Sequence, residues 1–137
     1  MSDILISQDK SKLNLDVIFG FLQTAYWSIG RTRTMVKETI ENSICFGVYK
    51  DDKQIGFARI ISDNVVFAYL MDVFILPEHR GNGYGCAMLD HILNSPDLKH
   101  VQKWLLATSD AHGLYKKFGF NQLKHPEKLM GKNFLAE

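Results

Sequence analysis

An α/β fold built on a mixed sheet is predicted by three features of the sequence. Strand-like stretches rich in β-branched and aromatic residues follow one another without a helix between them over residues 44–76. Strand-like and helix-like stretches alternate after residue 80. Between these two regions, Arg80, Gly81, Asn82, Gly83, Tyr84 and Gly85 join an apolar strand candidate to a helix candidate through little more than backbone. Short turns join antiparallel strands and helical crossovers join parallel ones, so the two halves together call for a mixed sheet, in the order βααβββαβαβ.

Each element has its own local reason. Residues 4–7 form a short strand candidate, and residues 16–27 a helix with Asp16 as N-cap and Val17, Phe19, Phe21, Leu22 and Ala25 on an apolar face. Gly30 and its polar neighbours break this pattern before a second helix over residues 34–42. Strands over residues 44–49, 54–61 and 65–76 are separated by the turn signals Asp51-Asp52 and Ser62-Asp63-Asn64. A helix to residue 93, a loop holding Pro96, a strand over residues 101–107 and a helix over residues 110–118 follow. Residues 120–123 are expected to form the last strand.

Length and composition restrict the classes of function. A chain of 137 residues with 46% hydrophobic and 12% aromatic content fits a single domain, residues 1–137, with a real core. Sixteen basic against fifteen acidic residues leave a net charge of +1, which calls for neither nucleic acid nor an anionic membrane. Lys99, His100, Lys103, Lys116 and Lys117 read as solvated faces. No basic start with an apolar core and no long apolar run is present, so a cytoplasmic location is expected. Cys45 and Cys86 lack metal-binding spacing, so no metal site or disulfide framework is expected.

The glycine turn carries the chemistry. Glycines remove the Cβ atoms that would hold a ligand away from the main chain, and the first amides of a helix are unpaired donors in a positive dipole field. An anionic ligand follows, a pyrophosphate first among the candidates. An ordinary turn would account for one or two glycines. A P-loop would need Lys-Ser or Lys-Thr after the glycines, and none is present. A dinucleotide fingerprint would need Gly where Cys86 stands, and it would lie near the start of a βαβ unit.

Arg80, Gly83 and Gly85 meet the pattern Arg/Gln-x-x-Gly-x-Gly/Ala, and Leu114, Tyr115, Gly119 and Phe120 lie in a second string typical of a later helix. With both motifs in this order, the chain resembles the GNAT acetyltransferase superfamily. The resemblance implies a sheet splayed between its fourth and fifth strands, with acetyl-CoA as the acyl donor. It places the pyrophosphate on the amides of Gly81, Asn82, Gly83, Tyr84, Gly85 and Cys86, with Arg80 either adding charge or facing solvent. It places the pantetheine arm on the backbone of Val73, Phe74 and Ile75.

The resemblance further implies that Tyr115 is the general acid for the departing thiolate. Met71 stands where some members carry a glutamate base, so Asp72 is the neighbouring candidate, as a base, a water-orienting group or a structural hydrogen-bonding residue. Consecutive strand residues face opposite sides, so Asp72 reaches the site only if a bulge re-aims it. Thr108 replaces a frequent asparagine in the pantetheine site, and His112 is the residue that would take over that contact or act as a base through water. Cys86 reads as a nucleophile or as a small packing residue.

Acceptor specificity is expected from the junction of the first two helices, where Tyr26, Trp27, Arg31 and Arg33 gather, and from Arg59 in mid-strand. These residues suit an aromatic or anionic amine, or the N-terminus of a peptide with acidic neighbours. They equally suit a core aromatic cluster beside a solvated basic turn. The expected activity is acetyl transfer to a primary amine of a small molecule or protein by direct attack. A non-catalytic acyl-CoA-binding module is the alternative, and a homodimer is consistent with the resemblance.

Overall fold

The computed structural model describes residues 3–134, and the chain divides into two compact units at Ala107/Thr108. The first unit holds a five-stranded sheet with its strands in chain order, from β1 (Leu5–Ser7) through β2 (Ile44–Lys50), β3 (Lys53–Ser62) and β4 (Phe67–Ile75) to β5 (Lys103–Leu106). The first four strands are antiparallel to their neighbours, and β5 runs parallel to β4. This is the mixed sheet the element order predicts.

Turn chemistry sets the hairpins. Asp51 and Asp52 both take positive φ, 52° and 64°, the pairing that a tight two-residue hairpin of right-handed twist requires. In the next turn the Asp63 carboxylate accepts from the N–H groups of Val65, Val66 and Phe67 at 2.9, 2.8 and 3.2 Å. Those backbone hydrogen bonds hold its pKa below the ordinary carboxylate value.

Helices α1 (Leu15–Leu22) and α2 (Arg33–Glu41) cover one face of the sheet, burying Ile18, Leu22 and Val36 with Cys45, Phe57 and Phe74. Asn14, not Asp16, caps α1: its side chain accepts from the Val17 N–H at 3.2 Å. Asp16 sits in the first turn, where a carboxylate favours the helix dipole, and pairs with Arg33. The first helix ends at Leu22, and Tyr26–Ser28 form a separate short 3-10 turn. Helix α3 (Tyr84–Leu93) buries Tyr84, Met88, Leu89 and Ile92, and its His91 ring meets Phe46 of β2 edge-on at 5.9 Å. With helices against both faces, the interior of β2 and nearly all of β3 are buried.

The second unit opens with a turn around Thr108, whose Oγ1 accepts from the Ala111 N–H at 3.2 Å, and continues into α4 (His112–Lys116). The strand expected over residues 120–123 does not form. Its first N–H, that of Phe120, is spent on the Tyr115 carbonyl at 3.2 Å, closing the end of α4 where Gly119 takes φ 92°. A group committed to a helix end cannot also enter a strand ladder. Among the described residues no helix is long and apolar enough to cross a membrane.

Candidate active site

The sheet opens where the sequence places its most informative residues. The parallel ladder between β4 and β5 ends at Leu70↔Leu106, whereas β4 runs on to Ile75 with β3 on its other side, in register as Gly56↔Ile75. Past Leu70, then, β4 offers main-chain groups along a side that β5 has left. Val73, Phe74 and Ile75 lie in that segment, with Val73 and Ile75 half-buried and Phe74 buried in the core.

A bulge sits in the same segment. Phe57 pairs with Phe74 and Arg59 with Met71, so one residue of β3 is opposed by two of β4, Asp72 and Val73. Asp72 takes φ 55°, a left-handed conformation that aspartate tolerates better than most residues and that costs of order 1 kcal/mol or more. The consequence is that consecutive residues turn to one partner: Arg59 Nη2 meets Met71 Sδ at 3.1 Å while Arg59 Nε donates to Asp72 Oδ2 at 2.8 Å.

Asp72 is buried and collects donors from three elements. Trp27 Nε1–H donates to Oδ1 at 3.0 Å, and Arg31 Nη1 reaches both oxygens at 2.8 Å. With the Arg59 contact, each carboxylate oxygen receives two donors, which fills the acceptor capacity of the group. Arg59 is itself buried and completes its fork on Ser43 Oγ at 3.1 Å. The structure thus brings Trp27, Arg31, Arg59 and Asp72 into one cluster. Tyr26 stands exposed beside it, edge-on to Trp27 at 5.2 Å, while Arg33 turns away to Asp16.

The glycine turn follows β4 through a short 3-10 turn, Pro77–His79. Gly81 and Gly83 take φ 83° and 79°, and a Cβ at either would meet no protein atom within 4 Å. Backbone conformation, not crowding, is what demands glycine there. Gly83 is the N-cap of α3, and the first intrahelical bond runs from the Ala87 N–H to the Gly83 carbonyl. The N–H groups of Tyr84, Gly85 and Cys86 therefore precede the helical ladder and point out of the helix start, a ready anion site.

Side chains around the turn hold it rather than line it. Asn82 Nδ2 donates to the His79 carbonyl at 3.1 Å. The Tyr84 hydroxyl accepts from Lys50 Nζ at 3.2 Å and donates to Asp3 at 3.1 Å, so its ring is turned into the fold. Arg80 is exposed; its Nε donates to the Ile75 carbonyl at 2.9 Å and its guanidinium lies 6.0 Å from the Phe21 ring. Phe21 went unassigned to the site in the sequence because it reads as one more apolar residue of a helix face. It stacks on Phe74 at 4.1 Å and lies 6.2 Å from Trp27, linking the strand to the aromatic pair.

In the second unit, Tyr115 is buried and its ring packs edge-on against Phe120 at 5.9 Å. His112 Nε2 lies 2.9 Å from the Thr108 carbonyl, so Thr108 and His112 brace each other at the start of α4. Cys86 is half-buried and unpaired with sulfur, and among the described residues no three His, Cys, Asp or Glu side chains converge as metal ligands.

Comparison with known proteins agrees with this geometry. The family model described as an acetyltransferase (GNAT) domain matches residues 41–122. A Gibberella zeae protein named as a candidate acetyltransferase is 32% identical over 94% of this chain and 85% of its own length. An uncharacterised N-acetyltransferase of Pyropia yezoensis is 31% identical over 94% of this chain and 75% of its own. Among solved structures, a GNAT-family candidate acetyltransferase from Xanthomonas campestris superposes with a TM-score of 0.93 at 42% identity, covering 97% of this chain and 94% of that one. A Clostridium acetobutylicum acetyltransferase solved with acetyl-CoA shares the fold at a TM-score of 0.68 and 16% identity, covering 95% of this chain and 96% of that one.

This chain belongs to the GNAT acetyltransferase family. It is an acyltransferase built on that family's α/β domain, with a five-stranded mixed sheet and flanking helices.

Proposed function

We propose that the chain is an acetyl-CoA-dependent N-acetyltransferase that acetylates a primary amine by direct attack. The observation that carries this reading is the stretch of β4 past Leu70 that β5 does not pair, leading to a left-handed glycine turn at the start of α3. An extended thioester arm fits an open strand side, and a pyrophosphate fits the amides at its end. The relative solved with acetyl-CoA supports the same donor.

In this reading the main chain of Val73, Phe74 and Ile75 holds the pantetheine arm, and the amides from Gly81 to Cys86 hold the diphosphate. The donor supplies an acetyl group already activated as a thioester. Tyr115 gives its phenolic proton to the departing sulfur as the C–S bond breaks and the C–N bond forms, and recovers a proton from the nitrogen through solvent. Thr108 and His112 set the start of the helix that carries Tyr115. Asp72 takes the hydrogen-bonding role among those the sequence leaves open, because all four of its acceptor positions are occupied by donors. As a positioning residue it holds Trp27, Arg31 and Arg59 around the bulge, and positioning supplies much of the acceleration in a reaction with a pre-activated donor.

The test is thiol release from acetyl-CoA across a panel of primary amines, with Tyr115→Phe beside the wild type. Wild-type turnover is expected with at least one amine, and Tyr115→Phe is expected to lower kcat by about 100-fold with donor binding retained. Equal turnover in the two proteins would remove Tyr115 as the acid. Donor binding without turnover on any amine would favour a non-catalytic acyl-CoA-binding module.

A further inference from the structure

The cluster around Asp72 carries more positive charge than its carboxylate can match. Arg31 and Arg59 both pair with this one acid, and Arg80 lies over Phe21 on the adjoining aromatic patch. Arg59 is spent, since its side chain is 6% exposed and its donors go to Asp72, Ser43 and Met71. Arg31 differs. Its side chain is 20% exposed, and only Nη1 is engaged with Asp72, leaving the edge formed by Nε and Nη2 with no hydrogen-bond partner among the described residues.

That edge is a planar two-donor fork, the geometry that matches a carboxylate through two parallel hydrogen bonds. Asp72 locks it in place from the opposite side, so little side-chain freedom is left to lose on binding. Trp27 shares Asp72 Oδ1 with Arg31 and stands edge to face with Tyr26, the two rings being 39% and 56% exposed. Apolar walls lower the local dielectric and strengthen a charge-assisted contact. With four-fifths of the Arg31 side chain covered, the fork favours a compact group such as a carboxylate.

We propose that the acceptor is a small amine that carries a carboxylate, and that the free edge of Arg31 reads that carboxylate against the Tyr26–Trp27 wall. The name acceptor rests on the acetyl-transfer reading above; the binding claim does not. Arg31 is then a specificity residue, and acceptors of the same shape without the negative charge are discriminated against.

The experiment is calorimetric titration of the CoA-loaded protein with two matched pairs: para-aminomethylbenzoate against para-aminomethylbenzamide, and phenylalanine against phenylalaninamide. Each pair keeps the amine and the ring and removes the charge. The carboxylates are expected to bind about tenfold more tightly than the amides, in line with a charge-assisted hydrogen bond. In Arg31→Gln that ratio is expected to fall to about one, and in Arg31→Lys, which keeps charge without the fork, to take an intermediate value. A CoA-induced thermal shift in each variant confirms that it is folded. Equal affinity within the pairs, binding of neither member, or a preference that survives in Arg31→Gln overturns the proposal. The same amines in the thiol-release assay separate the two readings: a carboxylate preference in binding without turnover leaves this proposal standing and defeats acetyl transfer.

Discussion

At the residue scale, position in the fold decides what the two cysteines can do. Cys45 lies in the core against Phe57 and Phe74, 2% exposed, and burial pushes its thiol up to about 11 from an ordinary 9.0. Because the folded-state value is raised, this thiol contributes its full share of stability below pH 9, and the share is lost as pH rises through about 11. Between pH 8 and pH 10 the wild type should therefore lose about 1 kcal/mol of unfolding free energy on this account, measured by urea denaturation. Cys45→Ala should be less stable at both values and lose correspondingly less between them. An equal loss in the two proteins would assign the alkaline sensitivity elsewhere.

The residues around Asp72 mark where the sequence is legible and where it is not. Trp27, Arg31 and Arg59 stand out in the sequence as large or charged groups in unusual places, and all three do converge. What drew them together was not visible, because the partner lies 45, 41 and 13 residues away and reaches them only through a bulge. No alternation pattern announces an extra residue in a strand. Arg59, buried in mid-strand, is paired with Asp72.

At the scale of elements, the bulge in β4 is the feature on which the site turns. It aims Asp72 at the helix side, and it does so in a left-handed conformation that four hydrogen bonds stabilise. Asp72→Asn removes the charge but keeps the shape, leaving two guanidinium groups around a neutral amide. Breaking a buried ion pair in this way costs about 3 to 5 kcal/mol. The urea midpoint is expected to fall accordingly, and Asp72→Asn with Arg31→Gln should cost less than the sum of the two single changes. Strict additivity would mean that the two residues do not act as one unit.

Element boundaries were otherwise readable from punctuation. Asp51-Asp52 and Ser62-Asp63-Asn64 end strands where expected, and Gly83 starts α3. Three readings differ from the structure: the first helix stops at Leu22 instead of running to residue 27, its cap is Asn14, and residues 120–123 form no strand. Asn14 and Asp16 are both good caps, and the choice fell to Asn14, whose own N–H is held by Gln54 Oε1 at 2.7 Å, a contact 40 residues away in sequence. Residues 120–123 carry strand-like side chains, but closing α4 takes the first N–H they have.

At the scale of the whole molecule, a net charge of +1 leaves no charge excess with which to attract anions generally. Two local features of the sheet unit suit an anion, the free amides at the start of α3 and the unpaired edge of Arg31. One is made of backbone and suits a donor's diphosphate, whatever the side chains. The other is made of side chains and depends on the identity of a few residues, Arg31 and Asp72 first. In the sequence the glycine turn points only to an anion, and acetyl-CoA enters with the family resemblance that the later motif around Tyr115 completes.

The most direct test of this account is calorimetric titration of acetyl-CoA into the wild type and into a protein with Gly81→Ala and Gly83→Ala together. Both glycines sit at positive φ, where a Cβ costs about 1 to 2 kcal/mol per residue. Saturable binding of one acetyl-CoA per chain is expected in the wild type, weakened by roughly tenfold or more in the double variant. No binding to the wild type, or an affinity that the two substitutions leave unchanged, would contradict it.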